Sequence, residues 1–156
     1  MDANSEIRLG LVCPALANKI RTLAETLAGE SIHLRATQGV RSWSQQEATY
    51  QQGRTTPGPI VTNAPPGHSW HEFGLAVDVA PFDAQDVVDW NVSHPAWRRI
   101  IEIGESLGLF SGDEFCHFKD DPHFQLTGRF PVSPTDEARQ LLTDKGMEAV
   151  WTEAGL

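Results

Sequence analysis

"GHSWHEFGLAVDVAP", Gly67 to Pro81, sets two histidines, a glutamate and an aspartate beside a strand of small apolar residues. As a strand, "GLAVDVA" puts Gly74, Ala76, Asp78 and Ala80 on one face and Leu75, Val77 and Val79 on the other. The face that carries Asp78 is lined by small residues, which leaves space above the carboxylate. His71 lies seven residues before Asp78, an odd separation that would place it on the opposite face of one continuous strand. Gly74 supplies a bend that can turn it back, so His71 and Asp78 can converge on one point. A carboxylate flanked by Ala76, Val77, Val79 and Ala80 either lies on a solvated strand face or binds something.

On the N-terminal side, Leu16, Ile20, Leu23 and Leu27 recur at helical spacing between Pro14 and Ala28, with Pro14 suited to the first turn and Gly29 to the stop. "SIHLRAT" alternates Ile32, Leu34 and Ala36 against His33, Arg35 and Thr37, the pattern of a strand with one buried face. A second helix is expected to open at Ser44, which has capping-box spacing to Glu47, and to end near Gly53. Arg41 falls at the turn before it. "GRTTPGPIVTNAPPG", Gly53 to Gly67, holds four prolines and three glycines in fifteen residues, too many for regular structure beyond a short extended piece at Ile60 to Thr62. A loop this long directly before the opening motif points to function.

On the C-terminal side, "HPAWRRIIEIGESLGL" predicts a helix that starts at Pro95, carries Trp97, Ile100, Ile101 and Leu107 on one face and stops at Gly108. "HFQL", His123 to Leu126, alternates as a strand. "SPTDEARQLL" predicts a final helix with Ser133 as cap, Pro134 in the first turn and Asp136 and Glu137 against the helix dipole. Strands and helices mix without regular alternation, so residues 1–156 are expected to form a single α+β domain.

At 156 residues, 40% hydrophobic and 21% charged, the composition is that of a globular protein able to bury a core unaided. Twelve basic against 21 acidic residues give a formal charge of −9, which repels phosphate and excludes nucleic acid as a natural partner. Cys13 and Cys116 form no C-x-x-C pair, so neither a zinc ribbon nor a redox dithiol is expected; both read as buried free thiols. "MDANSEIRLGLVCPAL" has acidic residues where a signal peptide is basic, and no apolar run reaches membrane-spanning length. Cytoplasmic synthesis without membrane insertion is the expectation, with another exit route for any work outside the cell.

A second polar cluster, "FKDDPHFQL", offers Asp120, Asp121 and His123, with His123 at a strand start and on one face with Gln125. Two histidines and one carboxylate from different elements make a three-ligand set for zinc that leaves the fourth position to water. Non-haem iron uses the same donors, so ligand type alone does not name the metal. Of the other histidines, His33, His68, His94 and His117 have surface or loop contexts, and His68 and His117 are the two that could reach a substrate. Glu72 follows a candidate ligand, but Leu75 stands where an H-E-x-x-H helix needs its second histidine.

Ser69, His71, Gly74, Ala76 and Asp78 stand in the pattern S-x-H-x-x-G-x-A-x-D, and Asp120 and His123 in D-x-x-H. Together they resemble the LAS-type zinc peptidases, the group of D-Ala-D-Ala peptidases, vancomycin-resistance enzymes and phage or bacterial L-alanyl-D-glutamate endopeptidases. "TQGVRSWSQQEATYQQGRTTPGPIVTNAPPGHSWHEFGLAVDVAPF" is similar to the middle of the L-alanyl-D-glutamate enzymes. Val40 stands where an aromatic is common and Phe115 where tryptophan is common, departures that bear on substrate preference.

The resemblance implies a hedgehog/D-Ala-D-Ala metallopeptidase-like fold, a small antiparallel sheet with flanking helices. It implies one zinc ion per chain on His71, Asp78 and His123, with Asp120 as catalytic carboxylate and Arg41 as the cation near the scissile carbonyl. Asp121 and Glu72 are the rivals of Asp120, and Arg41 alone would read as a turn residue. Ser69, Gln46 and Arg54 are candidate supports for the substrate or for the loop beside it. The implied activity is hydrolysis of the stem peptide of bacterial peptidoglycan, at the L-Ala–D-Glu bond. A D-alanyl-D-alanine carboxypeptidase or dipeptidase is the alternative, and a catalytically silent zinc module a further one. The N-terminus resembles that of phage endolysins, which wait in the cytoplasm until a holin opens the membrane; a bacterial autolysin is the other source.

Overall fold

The structure, a computed structural model, describes residues 1–116 and 119–156. Among the described residues the chain runs α1 (Ala3–Leu9), α2 (Pro14–Ala28), β1 (His33–Gln38), α3 (Trp43–Gln51), a 3-10 turn (Trp70–Phe73), β2 (Ala76–Phe82), α4 (Pro95–Ser106), β3 (Phe110–Ser111), β4 (His123–Gln125), α5 (Asp136–Lys145) and α6 (Met147–Ala154). The strands form one antiparallel sheet in the order β1-β2-β4-β3. This is the α+β architecture read from the sequence.

Residues paired across antiparallel strands share a face, so the register assigns the two sides of the sheet. Leu34 lies opposite Pro81, Ala36 opposite Val79, and Val77 opposite Phe124. These residues face α2 and α4, whose Leu16, Ile20, Leu23, Leu27, Trp97 and Ile100 are buried in the same core. The helices present those residues because apolar side chains at every third or fourth position fall on one stripe. On the other face, Asp78 lies opposite His123 and Ala76 opposite Gln125. The alternation expected for "GLAVDVA" thus sorts the apolar side from the side that carries the polar groups.

Several elements differ from expectation. Ser42, not Ser44, caps α3, because Gln45 returns the hydrogen bond to the Ser42 N–H and closes the box; Glu47 instead accepts from Gln51. Thr135, not Ser133, caps α5, accepting from the Ala138 N–H, so Pro134 lies before the helix. That helix is not the last: Gly146 turns the chain into α6, where Val150 and Ala154 are buried one turn apart. Helix α1 has no apolar stripe to betray it, since Ile7 and Leu11 are exposed and Leu9 is the buried one. Cys13 is buried as expected, whereas Cys116 is exposed, because it lies in the irregular stretch after β3 and outside the core. Residues 60–62 belong to no strand or helix.

The bend before β2 is as the sequence demands. Gly74 adopts φ 66° and ψ 24°, left-handed values at which a side chain is strained, and its N–H closes the 3-10 turn onto the His71 carbonyl. Trp151 of α6 covers the bend, donating its indole N–H to the Phe73 carbonyl at 2.7 Å, and a Cβ on residue 74 would meet its ring at 3.0 Å. Gly74→Ala should therefore destabilise the protein by about 1–2 kcal/mol. Thermal or urea unfolding measures this, and an unchanged midpoint would show that the bend is not strained.

Candidate metal centre

Three elements bring one donor atom each to a common point. The 3-10 turn carries His71, β2 carries Asp78, and β4 carries His123 directly across from Asp78. His71 Nε2 lies 3.0 Å from Asp78 Oδ1 and 3.2 Å from His123 Nδ1, and His123 Nδ1 lies 3.3 Å from the same carboxylate oxygen. Donors bonded to a tetrahedral zinc ion at about 2.0–2.1 Å stand roughly 3.3 Å apart, so the triangle has the right size.

The hydrogen bonds behind the rings decide what faces the centre. His71 Nδ1 is 2.8 Å from the Gly39 carbonyl, which can only accept, so Nδ1 carries the proton and Nε2 presents a lone pair. The amide of Gln125 donates to the Val132 carbonyl at 2.9 Å, which turns its oxygen toward His123 Nε2 at 3.0 Å. His123 is thereby held with Nε2 protonated and Nδ1 bare. The backbone clamps His71 from a second side, since the Arg41 N–H donates to the His71 carbonyl at 3.1 Å. Two lone pairs and a carboxylate oxygen converge with no hydrogen between them, an arrangement that repels itself until a cation occupies it. The donor set fits a divalent metal.

The charges respond to this crowding. Burial alone would push the Asp78 carboxyl up, but His71 and His123 hold it well below the usual carboxylate range. Burial pulls the His123 imidazole down, and the bond and charge of Asp78 outweigh it, leaving the ring more readily protonated than usual. Asp120 is pushed up, first by burial and then by the charge of Asp78, against the pull of His123, His71 and Arg41. Its carbonyl accepts from the His123 N–H at 2.9 Å, so Asp120 and His123 belong to one tight turn.

Asp120, Arg41, Ser69 and the three donors all line one cavity of about 1170 Å³. The Arg41 guanidinium donates to Gln46 Oε1 at 2.7 Å and stands 3.7 Å from Asp78 Oδ2. Gln46 is fully buried and its amide donates to the Ala64 carbonyl at 2.7 Å, so it ties Arg41 to the proline-rich loop. Arg54 lies over the Tyr50 ring and donates to the Thr62 carbonyl and to Asn63, bracing that loop from outside. Ser69 caps the 3-10 turn in a box with Glu72. Glu72 is buried and turned away from the donors, accepting from the N–H groups of Gly67 and Ser69; burial nonetheless raises its pKa.

Asp121 is partly buried and pushed up by burial and by Asp113. His68 is exposed at the cavity wall, and His94 caps α4 by accepting from the Ala96 N–H. His117 lies outside the described residues. The supports that sequence reading missed are Gly39, Gln125 and Val132. Gln125 alone left a signal, as a polar residue on the face of His123; the two carbonyls belong to the backbone and leave none.

Residues 62–126 match a family of sequences described as D-alanyl-D-alanine carboxypeptidase. The peptidoglycan L-alanyl-D-glutamate endopeptidase CwlK of Bacillus subtilis is 32% identical over 120 residues, covering 72% of each chain. Among solved structures, the L-Ala D-Glu endopeptidase ChiX of Serratia marcescens superposes with a TM-score of 0.61 at 29% identity, over 83% of this chain and 90% of its own. The vancomycin-resistance D,D-pentapeptidase VanY, solved with Zn(II), shares the fold with a TM-score of 0.56 at 14% identity, over 90% of this chain and 83% of its own.

His123→Ala should abolish binding of stoichiometric zinc, while Gln125→Leu, which keeps the ring but frees its tautomer, should weaken affinity roughly 10–100-fold. Metal analysis and competition with a chelator read both, and full zinc content in His123→Ala would remove His123 from the site.

Proposed function

The chain belongs to the LAS-type zinc peptidases, and from that membership we propose that it hydrolyses the stem peptide of bacterial peptidoglycan between L-Ala and D-Glu. The observation that carries the reading is the convergence of His71, Asp78 and His123 on the floor of a cavity whose wall holds Asp120 and Arg41. The bond is chosen on two grounds. CwlK and ChiX, the relatives aligned over most of their length at 32% and 29% identity, are both named for that cleavage. The cavity also extends past the donors, being lined by the proline-rich loop and by Trp90 as well. An endopeptidase needs room on both sides of the bond, whereas a carboxypeptidase closes one side around a terminal carboxylate.

His71, Asp78 and His123 would hold one zinc ion. When bound, zinc supplies a Lewis acid that lowers the pKa of water to about 7 and polarises a carbonyl. Asp120 is placed to take the proton of the attacking water on its carboxylate and to return it to the leaving nitrogen of D-Glu. Burial and the charge of Asp78 push its pKa up, which suits the first step, since a carboxylate above its ordinary range is a better proton acceptor. The Arg41 guanidinium, held by Gln46 and standing beside Asp78, would stabilise the negative charge that develops on the scissile oxygen. A silent zinc module is disfavoured because, among the described residues, the donor group has three members, which would leave a tetrahedral ion one position for a reactant.

Digestion of purified peptidoglycan followed by mass spectrometry should give fragments with a new N-terminal D-Glu. Release of free D-Ala instead would establish the carboxypeptidase. Asp120→Asn should retain zinc and lose roughly 10²–10⁴-fold in kcat; full turnover in that variant would pass the proton transfer to another group.

A further inference from the structure

Five tryptophans are present, and three of them have structural duties. Trp70, Trp97 and Trp151 each donate the indole N–H to a backbone carbonyl and pack inward. Trp90 does neither among the described residues: it is 58% exposed, and it lines the same cavity as the metal donors. Val92, two residues on, lines that wall and is 51% exposed. Ile60 and Val61 of the proline-rich loop, 45% and 40% exposed, line the cavity as well. Exposed apolar side chains lining a cavity that also holds polar donors mark a binding surface, because leaving them to water is unfavourable.

The loop that presents Trp90 is built. Asp83 Oδ1 accepts from the N–H groups of Gln85 and Val87, and Arg35 grips the Asp86 carbonyl from β1. Asp89 donates its N–H to the Pro81 carbonyl and receives the indole N–H of Trp97 on its own carbonyl. Its side chain accepts from the Asn91 N–H, so the residues on both sides of Trp90 are fixed. An ordered loop therefore holds a large flat ring in solvent beside the reactive centre.

We propose that Trp90 is a stacking platform for the sugar ring to which the stem peptide is attached. This rests on the L-Ala–D-Glu reading: there the sugar joins the peptide on the amino side of L-Ala, roughly two residue lengths, about 7 Å, from the scissile carbonyl. A sugar ring has an apolar face of C–H groups and a polar rim, which matches an exposed indole whose N–H has no partner among the described residues. The cavity, about 1170 Å³, is larger than the few hundred Å³ that a dipeptide unit fills and has room for the sugar as well. For cleavage at the far end of the stem, the sugar would lie several residues away and Trp90 would have no ligand.

The test compares kcat/KM on two soluble substrates that share the stem peptide, one free and one joined to its disaccharide. Wild type should prefer the glycan-linked substrate. Trp90→Ala and Trp90→Leu should lower the ratio of the two values roughly tenfold, and Trp90→Phe should retain most of it, because a flat ring rather than apolar bulk is needed. Product masses from the same digests identify the bond cut. Cleavage elsewhere than L-Ala–D-Glu overturns the functional reading and the placement of the sugar with it. The expected bond with an unchanged ratio, or with an equal fall on both substrates, overturns the platform alone.

Discussion

Three electron-rich atoms are held within 3.0–3.3 Å of one another, and no hydrogen lies between them that their partners have not already claimed. Everything around the site enforces this. The Gly39 carbonyl takes the proton of His71, Gln125 takes that of His123, and the register of β2 against β4 sets Asp78 beside both. Left to itself the cluster would draw in a proton, as the raised affinity of His123 for one records. A divalent cation relieves the same repulsion without reorienting either ring. The folding of the sheet thus stores an unfavourable contact that metal binding releases, and the supports behind the rings determine how much is released.

The floor of the site was legible because it obeys local rules. Period-2 alternation placed Asp78 opposite the core, and one glycine accounted for the odd spacing of His71. Both statements concern a single segment. His123 entered as a polar residue at a strand start, and its pairing with Asp78 depends on the register of two strands more than forty residues apart in sequence, which no local pattern encodes. The same limit hid Gly39 and Val132, whose contribution is a carbonyl that any residue possesses. Helix ends were missed for another reason: Ser42 and Ser44, like Ser133 and Thr135, are chemically equivalent caps, and the choice falls to whichever neighbour completes the box.

Gln46 and Arg54 show where sequence and structure part most instructively. As polar residues near the motif they are candidate supports for the substrate or for the loop beside it. In the fold, Arg54 braces the proline-rich loop at Thr62 and Asn63, and Gln46 is wholly enclosed between Arg41 and Ala64. A buried amide with both ends engaged is a rigid joint, since releasing either end would leave a polar group without a partner in a site closed to water.

That joint separates two kinds of position in the cavity. The donors stand on two strands and a tight turn anchored to the core, within a fold shared with VanY at 14% identity. Much of the wall is loop, Pro59 to Pro65 and the segment around Trp90, and loops accept substitution that strands do not. If the walls alone set which bond is cut, they could vary without disturbing the chemistry. Gln46 makes that separation incomplete: a displacement of Ala64 is transmitted through one side chain to the guanidinium beside Asp78. A shift of the proline-rich loop would therefore reach Arg41 through Gln46, while the Trp90 loop, secured to β1, β2 and α4, has no such link to Arg41 among the described contacts that fix it. On the proposed reading, peptide recognition near the proline-rich loop would be bound to the position of Arg41, and recognition at Trp90 would be free to change independently of it.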